Sequence, residues 1–269
     1  MARRDLIERW RTGDGREAAL RGLAGGSLPT TDLRGLPAAG LESQGVAVTG
    51  ADLRYATLAE ARLEGVRWEA TKLDGADLSD AVFTGGSLRG STMVRAVLRD
   101  TVVADTTWES VDLTGAKMNH FKASRVAFRH CTFPALTKVD FTACTFEDCR
   151  FTGALDEARF LGRGSASVLR RVTFESDRFR YAEFDGMEFD DVTFPPGDAI
   201  VVVPRGFRAV AERAGVLSKS LDDETGREVR RFLSSESLRP GLSDTAGWAA
   251  GRADLPPGTA EMLHEAREA

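Results

Sequence analysis

Apolar and polar positions along this chain alternate with a step of five. From Thr31 the sequence divides into blocks TDLRG, LPAAG, LESQG, VAVTG, ADLRY and ATLAE, and the frame runs unbroken to CTFPA at 131–135, 21 blocks in all. Third places read Leu33, Ala38, Ser43, Val48, Leu53, Leu58, Leu63, Trp68 and Leu73, then on to Trp108, Phe128 and Phe133, and Ser43 is the only polar one. First places are small or β-branched apart from Leu36, Leu41 and Phe121. A period of five fits neither the 3.6 of a helix nor the sustained 2 of a strand, so each block must turn a corner. Places one and three point the same way, as residues i and i+2 of an extended segment do, and the polar places between them point out. The fifth place is commonly Gly, Asp or Glu (Gly35, Gly50, Glu60, Asp80, Asp100), where a tight turn favours such residues. Four corners close a coil of about 20 residues, and successive coils stack roughly 4.8 Å apart. Large third-place side chains then fill a lumen narrow enough to demand small first-place residues.

The frame slips after Phe133. The next centres are Phe141, Phe146 and Phe151, with a further slip before Phe160, and Leu161 to Arg171 (LGRGSASVLRR) reads as a loop extruded from one corner. The repeat resumes with Phe174, Phe179, Phe184, Phe189 and Phe194, a change from Leu to Phe that predicts a different lumen packing, and Pro195-Pro196-Gly197 ends it. A solenoid exposes lumen and backbone edge at both ends, so caps are expected. Residues 1–30 read as a helical N-terminal cap, with short patterns around Leu6 and Trp10 and a second begun by Asp14 with Glu17 three later. Residues 31–195 are the solenoid. Residues 196–269 form a C-terminal helical region: a strand at Ile200–Val203, a helix started by Pro204 and stopped by Gly215, another over about Asp222–Leu238, and a last one near Thr259–Glu268. Between these, 240–257 is rich in Gly, Pro and Ala and reads as loop.

Blocks such as Ala51-Asp52-Leu53-Arg54, Ala76-Asp77-Leu78-Ser79 and Val111-Asp112-Leu113-Thr114-Gly115 resemble the pentapeptide-repeat family, whose loose consensus is a small residue, Asp or Asn, Leu or Phe, a polar residue, then Gly. The resemblance covers 31–195, more than half of the chain. It implies an all-β solenoid, a right-handed quadrilateral β-helix. Bacterial members include acidic, rod-like proteins that imitate duplex DNA, bind DNA gyrase or topoisomerase IV, and protect against topoisomerase poisons. The resemblance therefore implies a non-catalytic partner of one of these enzymes. The alternative is a general protein–protein interaction scaffold, docking through its loop or its C-terminal helices, with a homodimer through those helices also in view.

Composition narrows the rest. Three Cys without regular spacing make no disulfide framework, no apolar h-region follows Arg3 and Arg4, and no apolar run reaches the length of a membrane span. The expectation is a soluble cytoplasmic protein that needs no membrane, nucleic acid, metal or cofactor. Cys131, Cys144 and Cys149 all occupy the small inward place, where a thiol serves as a small hydrophobe. Gly85-Gly86-Ser87-Leu88-Arg89 approaches a nucleophile-elbow pattern but has Arg where the second Gly belongs and lies in frame with the repeat. Gly162-Arg163-Gly164-Ser165 lacks the Lys of a phosphate-binding loop. Trp68 and Trp108, with Leu88 between them, read as lumen filling that should distort the wall. Function then falls to the outer surface. Glu60, Asp80 and Asp100 should stack in one column of carboxylates, continued by His120, and the last blocks add Glu183, Asp185, Glu188, Asp190 and Asp191. Residues 31–195 carry 25 acidic and 20 basic side chains.

Overall fold

The architecture was taken from a computed structural model, which describes residues 3–11, 13–25, 28, 31–162, 167–238 and 246–268. The stride of four blocks appears directly in the pairing. On the face that begins at Ser43, Leu63 pairs with Phe83, then Val103 and Ala123. On the face that begins at Val48, Trp68, Leu88, Trp108 and Phe128 follow in turn, always parallel. The other two faces are joined by single bridges, Asp32–Asp52–Lys72–Thr92–Asp112–Thr132 and Pro37–Thr57–Asp77–Val97–Lys117. Short strands such as Arg62–Glu64 and Arg67–Glu69 bury only their middle residue, as the alternation requires. The chain is thus a parallel β-solenoid with a single continuous lumen core.

Corners obey one rule. Every fifth residue from Gly35 to His130 has a positive φ, between 49° and 68°. Glycine adopts this conformation freely, whereas another L-residue there costs about 1–2 kcal/mol. Stacking offsets that cost, because corner N–H groups donate to the next coil: Glu60 N to Ser79 O at 2.8 Å, and Asp80 N to Arg99 O at 2.9 Å. Some glycines are also required by space. The ring of Tyr55 lies over Gly75, where a Cβ would approach it to 2.8 Å.

The slip after Phe133 is a pair of tightened corners rather than a break. Leu136 pairs with Leu155 and Phe141 with Phe160, so Leu136 and Leu155 are lumen centres that follow Phe133 and Phe151 sooner than the five-residue step allows. Neither tight corner uses a positive φ, and Gly153 packs so closely on Ala135 that a Cβ would stand 2.3 Å from its nitrogen. Within the span 161–171, expected to be an extruded loop, Leu161 ends one strand and Val168–Arg170 forms the next, with Leu169 in the lumen beneath Phe146, and residues 163–166 lie outside the described residues. Consecutive coils therefore run from Phe128 to Phe146, from Phe146 to Leu169 and from Leu169 to Phe189. A shortened turn is followed by a lengthened one before the usual stride returns.

The change to phenylalanine does alter the packing. Phe133, Phe151, Phe174 and Phe194 form a column with centroids 4.6–5.0 Å apart and rings nearly parallel, and Phe141, Phe160 and Phe184 form another. Between columns the rings meet edge to face, as for Phe133 and Phe141 at 81°.

Both ends are capped. At the N-terminus, α1 (Arg3–Glu8), the turn after it and α2 (Gly13–Ala24) cap the solenoid, the turn adding Trp10 and α2 adding Ala19 and Leu23 to the lumen core. Helix α2 begins at Gly13, so Asp14 lies within its first turn. Ser43, the polar exception among the centres, donates its hydroxyl to the carbonyl of Leu23 at 2.5 Å. Arg9 and Arg34 both grip Asp32, and the Trp10 indole donates to the Arg34 carbonyl at 2.9 Å. At the other end, α3 (Phe207–Leu217), α4 (Asp223–Ser237) and α5 (Thr259–Glu268) enclose a second core of Val203, Phe207, Val229, Leu233, Trp248 and Leu263. Helix α3 starts three residues beyond Pro204 and runs through Gly215, because its buried face of Phe207, Val210, Ala211 and Ala214 is packed along its length. The region 240–257, expected to be loop, holds the strand Gly247–Gly251, which pairs antiparallel with Ile200–Val203 on one side and Glu183–Asp190 on the other. Residues 239–245 lie outside the described residues.

Candidate functional site: an acidic edge of the solenoid

With the lumen filled, chemistry is left to the outer wall. The predicted column exists: Glu60, Asp80, Asp100 and His120 succeed one another along one corner, each exposed and each with a φ of 57–60°. Coil stacking places them at intervals of about 4.8 Å. Among the described residues Glu60 and Asp80 make no ion pair, and Asp100 has only Arg99 at 3.8 Å.

Acids further along are treated differently. Asp140 is held by Arg159 at 2.6 Å, Glu147 by Arg171 at 2.9 Å, Asp148 by Arg171 at 2.7 Å and Asp190 by Arg170 at 2.9 Å. Arg180 likewise grips Asp156 and Arg150 grips Glu175. Hydrogen bonding from Arg171 and Arg180 holds the Asp148 and Asp156 carboxyls below the usual range. The sequence explains this pattern. Residues 111–130 carry four Lys or Arg against one acid, 131–148 one against three, 149–171 five against two, and 172–191 two against seven, so neighbouring coils present opposite charge.

The second predicted acidic set is not one surface. Asp185 is buried, 8 % exposed, where the strand Gly247–Gly251 crosses the last coil and pairs it with Trp248. Glu183 pairs with Ala250 in the same crossing, and Asp190 is tied to Arg170. Glu188 shares a groove with Arg170 and Arg205, and Asp191 sits on a separate corner. Buried Glu236 accepts the Trp248 indole hydrogen bond at 3.1 Å, and desolvation raises its pKa. Nothing in the local sequence announces that a C-terminal strand will cover Asp185.

The remaining candidates resolve as wall and core. Cys131, Cys144 and Cys149 are buried, and desolvation pushes the Cys144 thiol up to about 12. Ser87 begins a flat strand, Ser87–Arg89, and not the sharp strand-to-helix turn of a nucleophile elbow. Gly86 adds a second successive positive φ, 78°, in the coil between Trp68 and Trp108, and the Thr107 N to Gly86 O bond there is 3.3 Å, while the strand register through Leu88 stays regular. The Gly162–Ser165 motif falls largely outside the described residues. Among the described residues no cluster of three or more His, Cys, Asp or Glu could hold a metal, and no helix is long and apolar enough to cross a membrane.

The profile of the family described as pentapeptide repeats (8 copies) matches residues 69–100. The repeat and the solenoid together define a pentapeptide-repeat protein. Solved structures with a similar chain include QnrB1 (full length), a plasmid-mediated fluoroquinolone resistance protein, at 11 % identity over 62 % of this chain and 83 % of that one, with a TM-score of 0.40. Another is HetL, a pentapeptide repeat protein involved in heterocyst differentiation regulation from the cyanobacterium Nostoc sp. strain PCC 7120, at 23 % identity over 65 % and 92 %, with a TM-score of 0.35. No curated protein matches the chain.

Proposed function

We propose that this protein is a non-catalytic binding module that docks a basic protein surface along the corner of Glu60, Asp80 and Asp100. The observation that carries the reading is the contrast in pairing: every acid from Asp140 to Glu175 has a cationic partner within the wall, while Glu60 and Asp80 have none among the described residues. Unit charges about 5 Å apart repel by roughly 1 kcal/mol even in bulk water, and an approaching cationic surface converts that cost into affinity and on-rate.

DNA gyrase or topoisomerase IV is the first partner to test, because the family resemblance implies it. Charge sets the scale of any duplex mimicry. The net charge of residues 31–195 is −5, whereas duplex DNA of the same length, about 40 Å, carries roughly 20 negative charges. Mimicry is therefore confined to one edge and does not extend round the rod. Purified gyrase should be titrated with this protein in a supercoiling assay, with and without a poison. Inhibition or protection that disappears in the Asp80→Lys, Asp100→Lys double variant supports a topoisomerase partner at this edge. An effect that survives the double variant removes the edge assignment, and no effect at all leaves the general scaffold reading, with another basic protein as partner. Self-association through the C-terminal helices is a second reading, favoured by the exposed side chains of Val216 and Leu238. Light scattering that shows a monomer would end it.

A further inference from the structure

Two of the three cysteines belong to one vertical column of the wall. Thr132 pairs with Arg150 and Phe133 with Phe151, and the Arg150 amide donates to the Cys131 carbonyl at 3.0 Å, which sets Cys149 directly beneath Cys131 in the next coil. The column reads Val111, Cys131, Cys149, Val172, with each carbonyl receiving the amide that follows its successor. Both thiols are buried, each 1 % exposed; Cys131 Sγ donates to the Trp108 and Arg129 carbonyls and Cys149 Sγ to those of Phe128 and Glu147. Cys144 has a different environment. Its column neighbour above is Val126, and the Phe146–Leu169 register sets Ser167 below it, so no thiol adjoins it.

We propose that Cys131 and Cys149 form a reversible redox site, which a peroxide converts to a disulfide stapling two successive coils. Parallel neighbours in the stack have Cα atoms about 4.8 Å apart, inside the 4.4–6.8 Å that a disulfide spans. Their Cβ atoms start nearly as far apart, slightly beyond the preferred 3.5–4.5 Å, so the bond is strained and easily reduced. The Cys149 sulfur, as thiolate, attacks one peroxide oxygen; the O–O bond breaks, and the departing hydroxide takes a proton to leave as water. The Cys131 sulfur then displaces hydroxide from the Cys149 sulfenic acid, its own proton completing a second water. Two S–H bonds and one peroxide become one S–S bond and two waters. Hydrogen peroxide is small and neutral, and local opening of a corner admits it. The staple closes the shortest turn of the solenoid, next to the long turn that contains 162–167.

The test uses the native full-length protein and hydrogen peroxide. After alkylation of free thiols, trypsin with Glu-C cuts after Arg129, Lys138, Glu147 and Arg150 and so separates all three cysteines. The expected product lacks two hydrogens, links the Cys131 and Cys149 peptides, leaves Cys144 alkylated and reverts with dithiothreitol. The thermal midpoint should rise by roughly 2–5 °C on oxidation of the natural chain and of Cys144→Ser, and stay unchanged for Cys131→Ser. A bond that includes Cys144, a stable sulfinic acid at either site, or unmodified thiols under peroxide that oxidises the guanidine-unfolded chain would each overturn the proposal.

Discussion

At the scale of single residues, the solenoid is governed by what its corners tolerate. Gly86 admits no side chain: a Cβ there would stand 2.1 Å from the Val66 carbonyl oxygen, on a backbone whose φ is already 78°. Gly86→Ala should destabilise the fold by about 2–4 kcal/mol, from clash and backbone strain together, measured by urea unfolding. Asp80 is the opposite case. It occupies a left-handed corner with φ 58° between Glu60 and Asp100. Asp80→Gly should therefore raise stability by about 1 kcal/mol while weakening partner binding, a split that a purely structural residue would not show. The corner rule was legible in the sequence as the Gly, Asp and Glu of the fifth place. The adjacency of Cys131 and Cys149 was not, because it depends on the shortened coil between Phe128 and Phe146, which the five-residue frame cannot deliver.

At the scale of elements, the N-terminal helices are held by a pH-sensitive clasp. Hydrogen bonds from Arg34 and Arg9 hold the Asp32 carboxyl well below its ordinary value of 3.8. A depressed carboxyl contributes stability that is present above the unfolded pKa and lost as pH falls towards the folded one. Acidification below about pH 4 should loosen α1 and shift the Trp10 emission, and Asp32→Asn should remove that transition and lower stability at neutral pH. The elements that sequence foretold well are those with many copies of one signal, as in the run from Leu33 to Phe133. Those it missed lack the signal. Leu136 and Leu155 follow corners without a left-handed residue, and Leu169 comes directly after an insertion. The strand Gly247–Gly251 is Gly, Trp and Ala, with little intrinsic β preference beyond its Trp, and owes its conformation to pairing on both sides. In the candidate site, Glu60, Asp80 and Asp100 followed from the stride alone. Asp185 was lost to that same strand, which lies two helices further along the chain and leaves no local trace near the acid it covers.

At the scale of the whole molecule, alternating charge from coil to coil locks the register where coil length varies. Individual exposed pairs contribute little, about 0–1 kcal/mol, but Arg170, Arg171, Glu147, Asp148 and Asp190 form a network that a slipped register would leave mismatched. The strand Gly247–Gly251 runs against the direction of the stack. A parallel stack is a template that can add identical rungs without limit, and two such rods could join end to end into a fibre. Here the last rung is met by a strand running backwards, and beyond it the Val202 carbonyl accepts the Arg267 guanidinium at 2.9 Å. Growth is thereby terminated. Deletion of residues 198–269 should yield elongated, thioflavin-binding polymers where the full chain stays dispersed, and a truncated rod that remains dispersed in light scattering would show that some other feature of the molecule stops the polymerisation.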